Sequence, residues 1–169
     1  MISIRPATRD DLDFLVGLLN HDDVEPFLAG RRARDRDAVA AEIDRTAADP
    51  VAFGRLVIEV DGERAGTMAY ERKNEPSRIA HLGSLAVHPD FRRRHVADEA
   101  ARLLQRRLLL ELGYHRLELE CYGFNRAAIA HAERAGFVRE GVRRRAYLRH
   151  GEWVDGVLFS LLREDLDEP

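Results

Sequence analysis

The sequence predicts an α/β fold in which helices cover both faces of a mixed, mostly antiparallel sheet of six or seven strands. Short segments with strand periodicity alternate along the chain with longer segments whose apolar residues recur at helical spacing. The size agrees with this class, because 169 residues with 45% hydrophobic and 34% charged side chains suit one globular core. We therefore expect a single domain over residues 1–169.

The first half of the chain predicts two helices and four strands. Ile2 to Arg5 has the composition of a short strand, which Pro6 ends. Thr8 and Asp11 resemble a capping box, and the apolar residues that follow keep helical spacing up to Asn20. The remaining elements are an irregular segment over residues 21–34, a helix from Asp37 to Ala48, and strands at Val51 to Val60, Ala65 to Tyr70 and Arg78 to Val87.

The second half predicts one long helix, one short helix and three strands. Residues 96–112 form the long helix, because apolar side chains mark one face and Gly113 follows as a C-cap. The remaining elements are a strand at Leu117 to Cys121, a helix from Asn125 to Ala135, and a hairpin of two strands at Val138 to Leu148 and Trp153 to Leu162.

Charge and cysteine content exclude several classes of function. The formal net charge of −3 gives no overall basic field, so neither nucleic acid nor an anionic membrane surface is an expected partner. The N-terminus lacks the apolar core of a signal peptide, and no apolar run is long enough to cross a bilayer. Cys121 is the only cysteine, which excludes an internal disulfide and agrees with the cytoplasmic location that we expect. The histidines do not follow metal-ligand spacing, so we predict no metal site.

The clearest functional signal lies between the strand that ends at Val87 and the helix that begins at Val96. The connecting loop contains four basic residues, Arg92, Arg93, Arg94 and His95. The first N–H groups of a helix lack intrahelical partners and carry partial positive charge, so this arrangement suits a phosphate ester. The alternative is an ordinary strand-to-helix connection with solvated arginines.

Three motifs in a fixed order resemble the GCN5-related N-acetyltransferase (GNAT) superfamily, in particular its RimJ/RimL-like bacterial branch. The first is Leu85-x-Val87-x-Pro89 with the basic loop and the long helix. The second runs from Asn125 to Gly136-Phe137 and is similar to the family's Asn-helix-Gly-Phe segment. The third is Glu140-Gly141 followed by Tyr147 to Asp155, which looks like the branch's closing hairpin. The resemblance covers almost the whole chain.

The resemblance implies an N-acetyltransferase that moves an acetyl group from acetyl-CoA to a primary amine by direct attack on the thioester. In this family the co-substrate inserts where two central strands splay apart. The implied binding positions are the strand amides of Leu85, Ala86 and Val87, the diphosphate loop of Arg92, Arg93, Arg94, His95, Val96 and Ala97, and Asn125. An amide near Leu85 would also polarise the thioester carbonyl. Asn125 is equally suited to cap the helix that follows it.

The loop departs from the family pattern at two positions. His95 stands where the pattern (Gln/Arg)-x-x-Gly-x-(Gly/Ala) has its first glycine, and Arg93 occupies a position that is often glycine. A side chain at position 95 can obstruct a phosphate, and a left-handed backbone costs a residue other than glycine about 1 kcal/mol. The additional positive charge favours phosphate. Two hypotheses follow: a working acetyltransferase, and a non-catalytic domain of the same fold that senses CoA or binds a partner.

His81 and Tyr122 are the candidates for proton transfer. The family commonly has a carboxylate on the strand before the loop, and His81 is the residue there that we predict to be the general base. The alternative is that His81 only binds a neighbouring residue. The family's positions for a proton donor are Ala128 and Ala132 in this chain, which cannot donate. Cys121 and Tyr122 lie just before Asn125, and we predict that Tyr122 is the acid, because a free cysteine is more often a core residue. The alternative is that the CoA thiolate leaves without an enzyme acid.

We expect the amine acceptor to lie between residues 21–34, the C-terminal hairpin and the strand at residues 78–84. His21, Asp22, Asp23 and Glu25 include three carboxylates, which suit an ammonium group, although a solvated loop has the same composition. A small-molecule amine or amino acid is the preferred acceptor, and a protein N-terminus is the alternative. Members of the branch often dimerise, so a homodimer is expected by analogy.

Overall fold

The computed structural model describes residues 1–28 and 34–166, so part of the predicted irregular segment lies outside the described residues. Within these ranges the seven strands are β1 (Ile2–Pro6), β2 (Phe53–Val60), β3 (Glu63–Asn74), β4 (Ile79–Val87), β5 (Arg116–Tyr122), β6 (Val138–Arg149) and β7 (Glu152–Leu162). The four α-helices of the same ranges are α1 (Leu12–Leu19), α2 (Arg36–Ala48), α3 (Val96–Arg106) and α4 (Arg126–Arg134).

All seven strands form one mixed sheet in the order β1-β2-β3-β4-β5-β7-β6. Every neighbouring pair is antiparallel except β4 and β5, which run parallel. The predicted α/β class is confirmed, and the strand number is seven. The turn between β2 and β3 is tight because Asp61 and Gly62 both have positive φ, 51° and 85°, as a two-residue hairpin requires.

The parallel pair β4 and β5 separates after a short ladder. Ile79, Ala80 and His81 pair with Arg116, Leu117 and Glu118, and no further pairs follow. Beyond His81 the edge of β4 that faces β5 therefore has no strand partner among the described residues. The central splay that the resemblance implies is confirmed, and it opens a gap in the middle of the sheet.

Helices pack on both faces of the sheet, as predicted. On one face, α1 and α2 bury Leu15, Val39 and Ile43 together with Val57 of β2. On the other face, α3 and α4 form the larger core, whose fully buried members include Ala100 and Leu108. No helix of the described residues is both long and apolar enough to cross a membrane.

The long helix differs from the regular helix predicted over residues 96–112. The regular part ends at Arg106, and Arg107–Glu111 form one π-helical turn. The wider turn allows two consecutive residues, Leu108 and Leu109, to be fully buried, while Leu110 remains exposed. Strand limits also differ: β3 extends to Asn74 rather than Tyr70, because its polar end continues to pair with β4.

Asp11, just before α1, is a buried carboxylate that makes more hydrogen bonds than the capping box predicted from the sequence requires. Asp11 is fully buried and accepts the Thr8 N–H at 2.8 Å. It also accepts two bonds from Arg5 of β1, at 2.7 and 2.9 Å, and one from Arg64 of β3, at 2.8 Å. The Arg5 hydrogen bonds, and to a smaller extent those of Thr8 and Arg64, hold the pKa of Asp11 far below its usual value. Asp11 therefore joins α1 to two strands.

Candidate active site at the strand splay

A cleft of about 740 Å³ occupies the gap between β4 and β5. On the side of α3 and α4 the cleft wall contains small residues that leave room, namely Ala97, Ala101, Ala127, Ala128 and Ala132. The opposite side, which we call the acceptor side, contains polar and aromatic residues, namely Asp23, Phe27, Glu71, His81, Glu120, Tyr122 and Tyr147. The cleft thus has an apolar side and a polar side.

A β-bulge in β4 shapes the strand edge that lines the cleft. Two residues of β4, Ser84 and Leu85, oppose the single residue Met68 of β3. Ser84 adopts a left-handed backbone with φ of 54°. The bulge removes these two residues from the ladder with β3 at the point where β5 has already diverged. Among the described strands, the side of these residues that faces β5 therefore has no paired neighbour.

The predicted strand positions for the co-substrate all line the cleft, namely Leu85, Ala86 and Val87. Ala86 and Val87 still pair with β3 along their other edge. The strand is consequently held in place while the edge toward the cleft remains open, which is the geometry that an extended amide-containing arm needs. Their role in binding stays a prediction.

The basic loop forms a second cavity of about 420 Å³, lined by Val87, Phe91, Arg92, Arg93, His95, Val96, Ala97, Asp98 and Arg134. Arg93 and His95 have positive φ, 61° and 55°, so the backbone conformation for which the family has glycine is retained. The His95 side chain is 89% exposed and does not cap α3. The predicted backbone cost at position 95 is therefore present, while the ring is turned to solvent.

Arg94 does not line this cavity within the described structure. Its guanidinium lies 5.6 Å from the ring centre of Phe91 instead. Of the three loop arginines, Arg92 and Arg93 are therefore the ones placed for an anion.

Asp98 brings a negative charge to the first turn of α3, beside the same cavity. One of its oxygens lies 2.8 Å from His131 Nδ1 and 3.4 Å from Arg134 Nη2, and the other lies 3.3 Å from His95 Nδ1. Burial alone would raise the pKa of Asp98, but the hydrogen bonds from His131 and His95 outweigh it and lower the pKa. The carboxylate is therefore ionised at neutral pH, next to the predicted diphosphate site.

We expect Asp98→Asn to bind CoA about five-fold more tightly at low ionic strength. The substitution removes one negative charge from the rim of the predicted diphosphate site, which is worth about 1 kcal/mol through water at close range. Calorimetric titration with CoA at two salt concentrations measures the effect, which should shrink at the higher salt. Glu99→Gln is the matched control, because Glu99 lies in the same turn but is half exposed and paired with Arg102. Equal or weaker binding by Asp98→Asn would show that positioning of His131 is the more important function of Asp98.

Two of the predicted co-substrate residues also hold the segment between α1 and α2. Arg92 Nη2 donates to the Asp23 carbonyl at 3.0 Å, and Asn125 Nδ2 donates to the Phe27 carbonyl at 3.4 Å. Asn125 Oδ1 accepts the Ala128 N–H at 3.1 Å, so the side chain is the N-cap of α4. The co-substrate side and the acceptor side of the cleft are thus linked through Arg92 and Asn125.

His81 lies on the acceptor side of the cleft, at the last paired position before the splay. Its neighbours in the ladder are Glu71 of β3 and Glu118 of β5. His81 also interacts with a neighbouring group in the structure. The position of His81 is therefore compatible with a general base, because it lines the cleft, and with a histidine that binds a neighbouring residue, because it has a partner. Its role as base stays a prediction.

Glu120 is a cleft residue that the sequence analysis did not select. Its side chain is 15% exposed, and its carboxylate accepts a 2.8 Å hydrogen bond from the Tyr147 hydroxyl. Gly156 of β7 provides the space, because a Cβ there would collide with the carboxylate and with the Tyr147 ring. Burial, followed by the bond to Glu120, raises the pKa of Tyr147 and keeps its hydroxyl a donor. The Leu-Glu alternation of β5 was the available signal, but it does not reveal where the neighbouring strand diverges.

Tyr122 is placed on the acceptor side, two residues beyond Glu120. Its ring stacks on Phe124 with 5.4 Å between ring centres and meets Tyr147 edge-on at 5.7 Å. The structure brings Tyr122 to the cleft, and its role as acid stays a prediction. Cys121, which points to the α3/α4 side, has its pKa raised to about 11 by burial and by the Glu120 charge, so it remains a thiol at neutral pH.

The acceptor side is bounded where the sequence predicts it. Asp23 and Phe27 line the cleft from the segment after α1, and Tyr147 lines it from the C-terminal hairpin. Glu25 of the predicted acidic cluster is paired with Arg34 and Arg149. Among residues 1–28 and 34–166, no three His, Cys, Asp or Glu side chains form a group that suits a metal ion.

Comparison with known proteins identifies the class. The model of the acetyltransferase (GNAT) family matches residues 16–137. The chain therefore belongs to this family, whose members are acyl-CoA-dependent N-acetyltransferases. The superfamily predicted from the three motifs is confirmed, whereas the RimJ/RimL-like branch remains a prediction.

One curated relative matches about half of this chain. The SPbeta prophage-derived uncharacterized N-acetyltransferase YokL of Bacillus subtilis (strain 168) is 32% identical over 83 residues, which cover 49% of this chain and 47% of that protein. The match thus spans about half the length of this curated relative.

Two solved structures share the fold over nearly the whole chain. The spermidine N-acetyltransferase of Vibrio cholerae in complex with CoA and spermine has a TM-score of 0.85 at 21% identity, covering 97% of this chain and 96% of that chain. The ribosomal-protein-S5-alanine acetyltransferase of Vibrio fischeri has a TM-score of 0.83 at 16% identity, covering 99% and 96%. The names of these two proteins specify different acceptors, so the fold alone does not identify the acceptor of this chain.

Proposed function

We propose that this chain transfers the acetyl group of acetyl-CoA to the primary amine of a small molecule. The observation that carries the proposal is the cleft at the splay. The open, bulged edge of β4 lines it together with two ionisable side chains, those of His81 and Glu120. Its volume of about 740 Å³ suits a narrow arm together with a small acceptor. Membership of the GNAT family supports the same reaction. Cytoplasmic location and a homodimer remain predictions.

The residues of both cavities fit the parts of CoA. The first-turn amides of α3 and the guanidinium groups of Arg92 and Arg93 suit a diphosphate. The open edge of β4 suits the amides of the pantetheine arm. Along the opposite wall, the alanines of α3 and α4 leave room for this arm. Acetyl-CoA would supply an activated acetyl thioester.

In the mechanism that we propose, Glu120 binds the ammonium group of the acceptor, and His81 takes its proton. The freed nitrogen lone pair then attacks the thioester carbon. An amide at the bulge, near Leu85, stabilises the oxyanion that forms. A C–N bond forms and the C–S bond breaks, and Tyr122 donates a proton to the departing thiolate. The extra proton of the amide nitrogen passes through water to the Tyr122 phenolate, and His81 releases its proton to solvent.

The first test is binding of acetyl-CoA, measured by calorimetry with dephospho-CoA and desulfo-CoA as comparison ligands. We expect micromolar affinity that depends on the phosphates, because the second cavity is built from positive charge and helix amides. The second test is release of CoA from acetyl-CoA in the presence of small primary amines and amino acids. Phosphate-dependent binding with no CoA release for any amine would support the non-catalytic alternative, and no binding at all would contradict the proposal.

A further inference from the structure

Four aromatic rings form a continuous row on the acceptor side of the cleft. Phe27 and Phe124 lie 6.2 Å apart between ring centres, Phe124 stacks on Tyr122 at 5.4 Å, and Tyr122 meets Tyr147 at 5.7 Å. We call these residues the aromatic row. Its inner end reaches Glu120 through the Tyr147 hydroxyl, at 2.8 Å. Its outer residues, Phe27 and Phe124, are 49% and 43% exposed. Phe27 lines the cleft, and Phe124 lies between Phe27 and Tyr122 without lining it.

The two ends of the aromatic row differ in charge. The inner end has the Glu120 carboxylate, which is 15% exposed and has the guanidinium group of the largely exposed Arg143 side chain at 3.9 Å. Beside the middle and outer part lies Arg149, whose guanidinium carbon is 5.3 Å from the ring centre of Tyr122. Arg149 shares the single carboxylate of Glu25 with Arg34, at 3.4 and 3.3 Å. Two guanidinium groups and one carboxylate leave a net positive charge there.

The polar contacts of Arg149 leave this charge poorly compensated. Its Nη2 reaches the Glu25 and Pro26 carbonyls only at 3.4 Å, and its buried Nε has no hydrogen-bond partner among the described residues. The side chain is nevertheless 19% exposed, which is low for an arginine, so it is held in place over the Tyr122 ring. A second cation on the face of Tyr122 would have to displace Arg149 or lie beside it.

We propose that the preferred acceptor carries one ammonium group on a flat aromatic body, and that polyamines are poor acceptors. This inference rests on the proposed function and specifies its substrate class. The ammonium group lies at Glu120, and the aromatic body extends along the row toward Phe27 and Phe124. Stacked or edge-on aromatic contacts contribute attraction beyond the area that they bury. The positive charge at Arg149 opposes a second ammonium group farther along the chain of the acceptor.

Besides Glu120, two carboxylates that line the acceptor side favour a second ammonium group, namely Glu71 and Asp23. Glu71 is paired with Arg45 at 2.9 Å, which leaves Asp23 near the mouth of the cleft. It lies against Arg92, whose Nη2 donates to the Asp23 carbonyl at 3.0 Å. A cation at Asp23 would therefore meet another guanidinium. Asp23→Asn consequently belongs among the test variants, and we expect it to leave the preference between acceptors unchanged.

The test compares kcat/KM for 2-phenylethylamine, n-pentylamine and spermidine at saturating acetyl-CoA. We expect 2-phenylethylamine to exceed n-pentylamine about five-fold, because aromatic contact contributes attraction beyond burial of a similar area. Spermidine should be poorer than n-pentylamine, because of its additional charges. Turnover with spermidine above 2-phenylethylamine would overturn the inference while the proposed function stands, and absence of turnover with all amines would overturn both.

Two variants separate the ring contacts from the charge. Phe27→Leu should reduce the ratio of kcat/KM for 2-phenylethylamine to that for n-pentylamine toward one, because Phe27 lines the cleft. Trp153→Leu is the control, because Trp153 is 63% exposed and does not line the cleft. Arg149→Met should raise kcat/KM for spermidine several-fold relative to 2-phenylethylamine. If Arg149→Met lowers melting temperature too far for kinetics, Arg149→Gln tests the same charge. If the substitutions at both positions leave these ratios of kcat/KM unchanged, the acceptor does not contact the aromatic row.

Discussion

Replacing Glu120 by glutamine is expected to lower kcat/KM for the best amine by a factor of about 10², with acetyl-CoA affinity unchanged. Glutamine keeps the shape of the side chain and accepts the Tyr147 hydroxyl bond, but it removes the charge that would neutralise the ammonium group. Loss of one partner from a desolvated charge pair is worth about 2–5 kcal/mol, of which the partial exposure of Glu120 favours the lower end. Steady-state kinetics over a range of amine concentrations measure the loss, which should include an increase in KM.

Glu118→Gln is the matched control for this experiment. Glu118 lies two residues earlier on the same face of β5, but it is paired with Arg116 at 2.8 Å and does not line the cleft. Tyr147→Phe tests whether the Tyr147 hydroxyl positions Glu120, and we expect a smaller loss of kcat/KM than for Glu120→Gln, mainly in kcat. Glu118→Gln and Glu120→Gln with equal kinetics would show that Glu120 does not meet the amine.

The general fold was predictable because local patterns and a few special residues agree along the chain. The helical and strand periodicities predict the type of each element correctly. The departures follow from packing that no local pattern records. The π-helical turn at Arg107–Glu111 places both Leu108 and Leu109 in the core, and this depends on how α3 meets the sheet.

The candidate site was only partly predictable for a related reason. Motifs that are contiguous in sequence, such as the loop from Arg92 to Ala97 and the Asn125 cap, identified the co-substrate side. Glu120 depends on contacts between β5, β6 and β7, including the missing side chain at Gly156. Asp98 likewise acquires its partners from α4, 33 and 36 residues away in the sequence. Such residues look like ordinary surface charges until the chain is folded.

The loop keeps its conformation although His95 replaces a glycine of the family pattern. The left-handed backbone is kept at φ of 55°, so a histidine occupies the conformation of the missing glycine. Its ring lies near Asp98 and solvent, so the loop cavity is formed despite the substitution. We therefore expect His95 to lower the free energy of unfolding slightly and to leave the predicted anion site in place.

Asp11→Asn is expected to lower the free energy of unfolding by about 3 kcal/mol at neutral pH, the largest stability effect that we predict. The substitution leaves Arg5 and Arg64 without their shared carboxylate, and removal of one partner from a buried ion pair typically costs about 3–5 kcal/mol. Both arginines are partly exposed, at 34% and 43%, which favours the lower end of that range. Asp44→Asn is the control, because Asp44 pairs with Arg9 on the surface and should change stability by less than about 1 kcal/mol.

The difference in free energy of unfolding between the wild type and Asp11→Asn should decrease at acidic pH. Hydrogen bonds from Arg5 lower the pKa of Asp11 in the folded state, so its stabilising contribution is complete above the unfolded value of 3.8 and is lost as pH falls below it. Urea unfolding of the wild type and of Asp11→Asn at several pH values between 3 and 7 should therefore show a constant gap down to about pH 4 that narrows below it. A gap that is small at pH 7, or that widens on acidification, would mean that the carboxylate does not join α1 to the sheet as an ion.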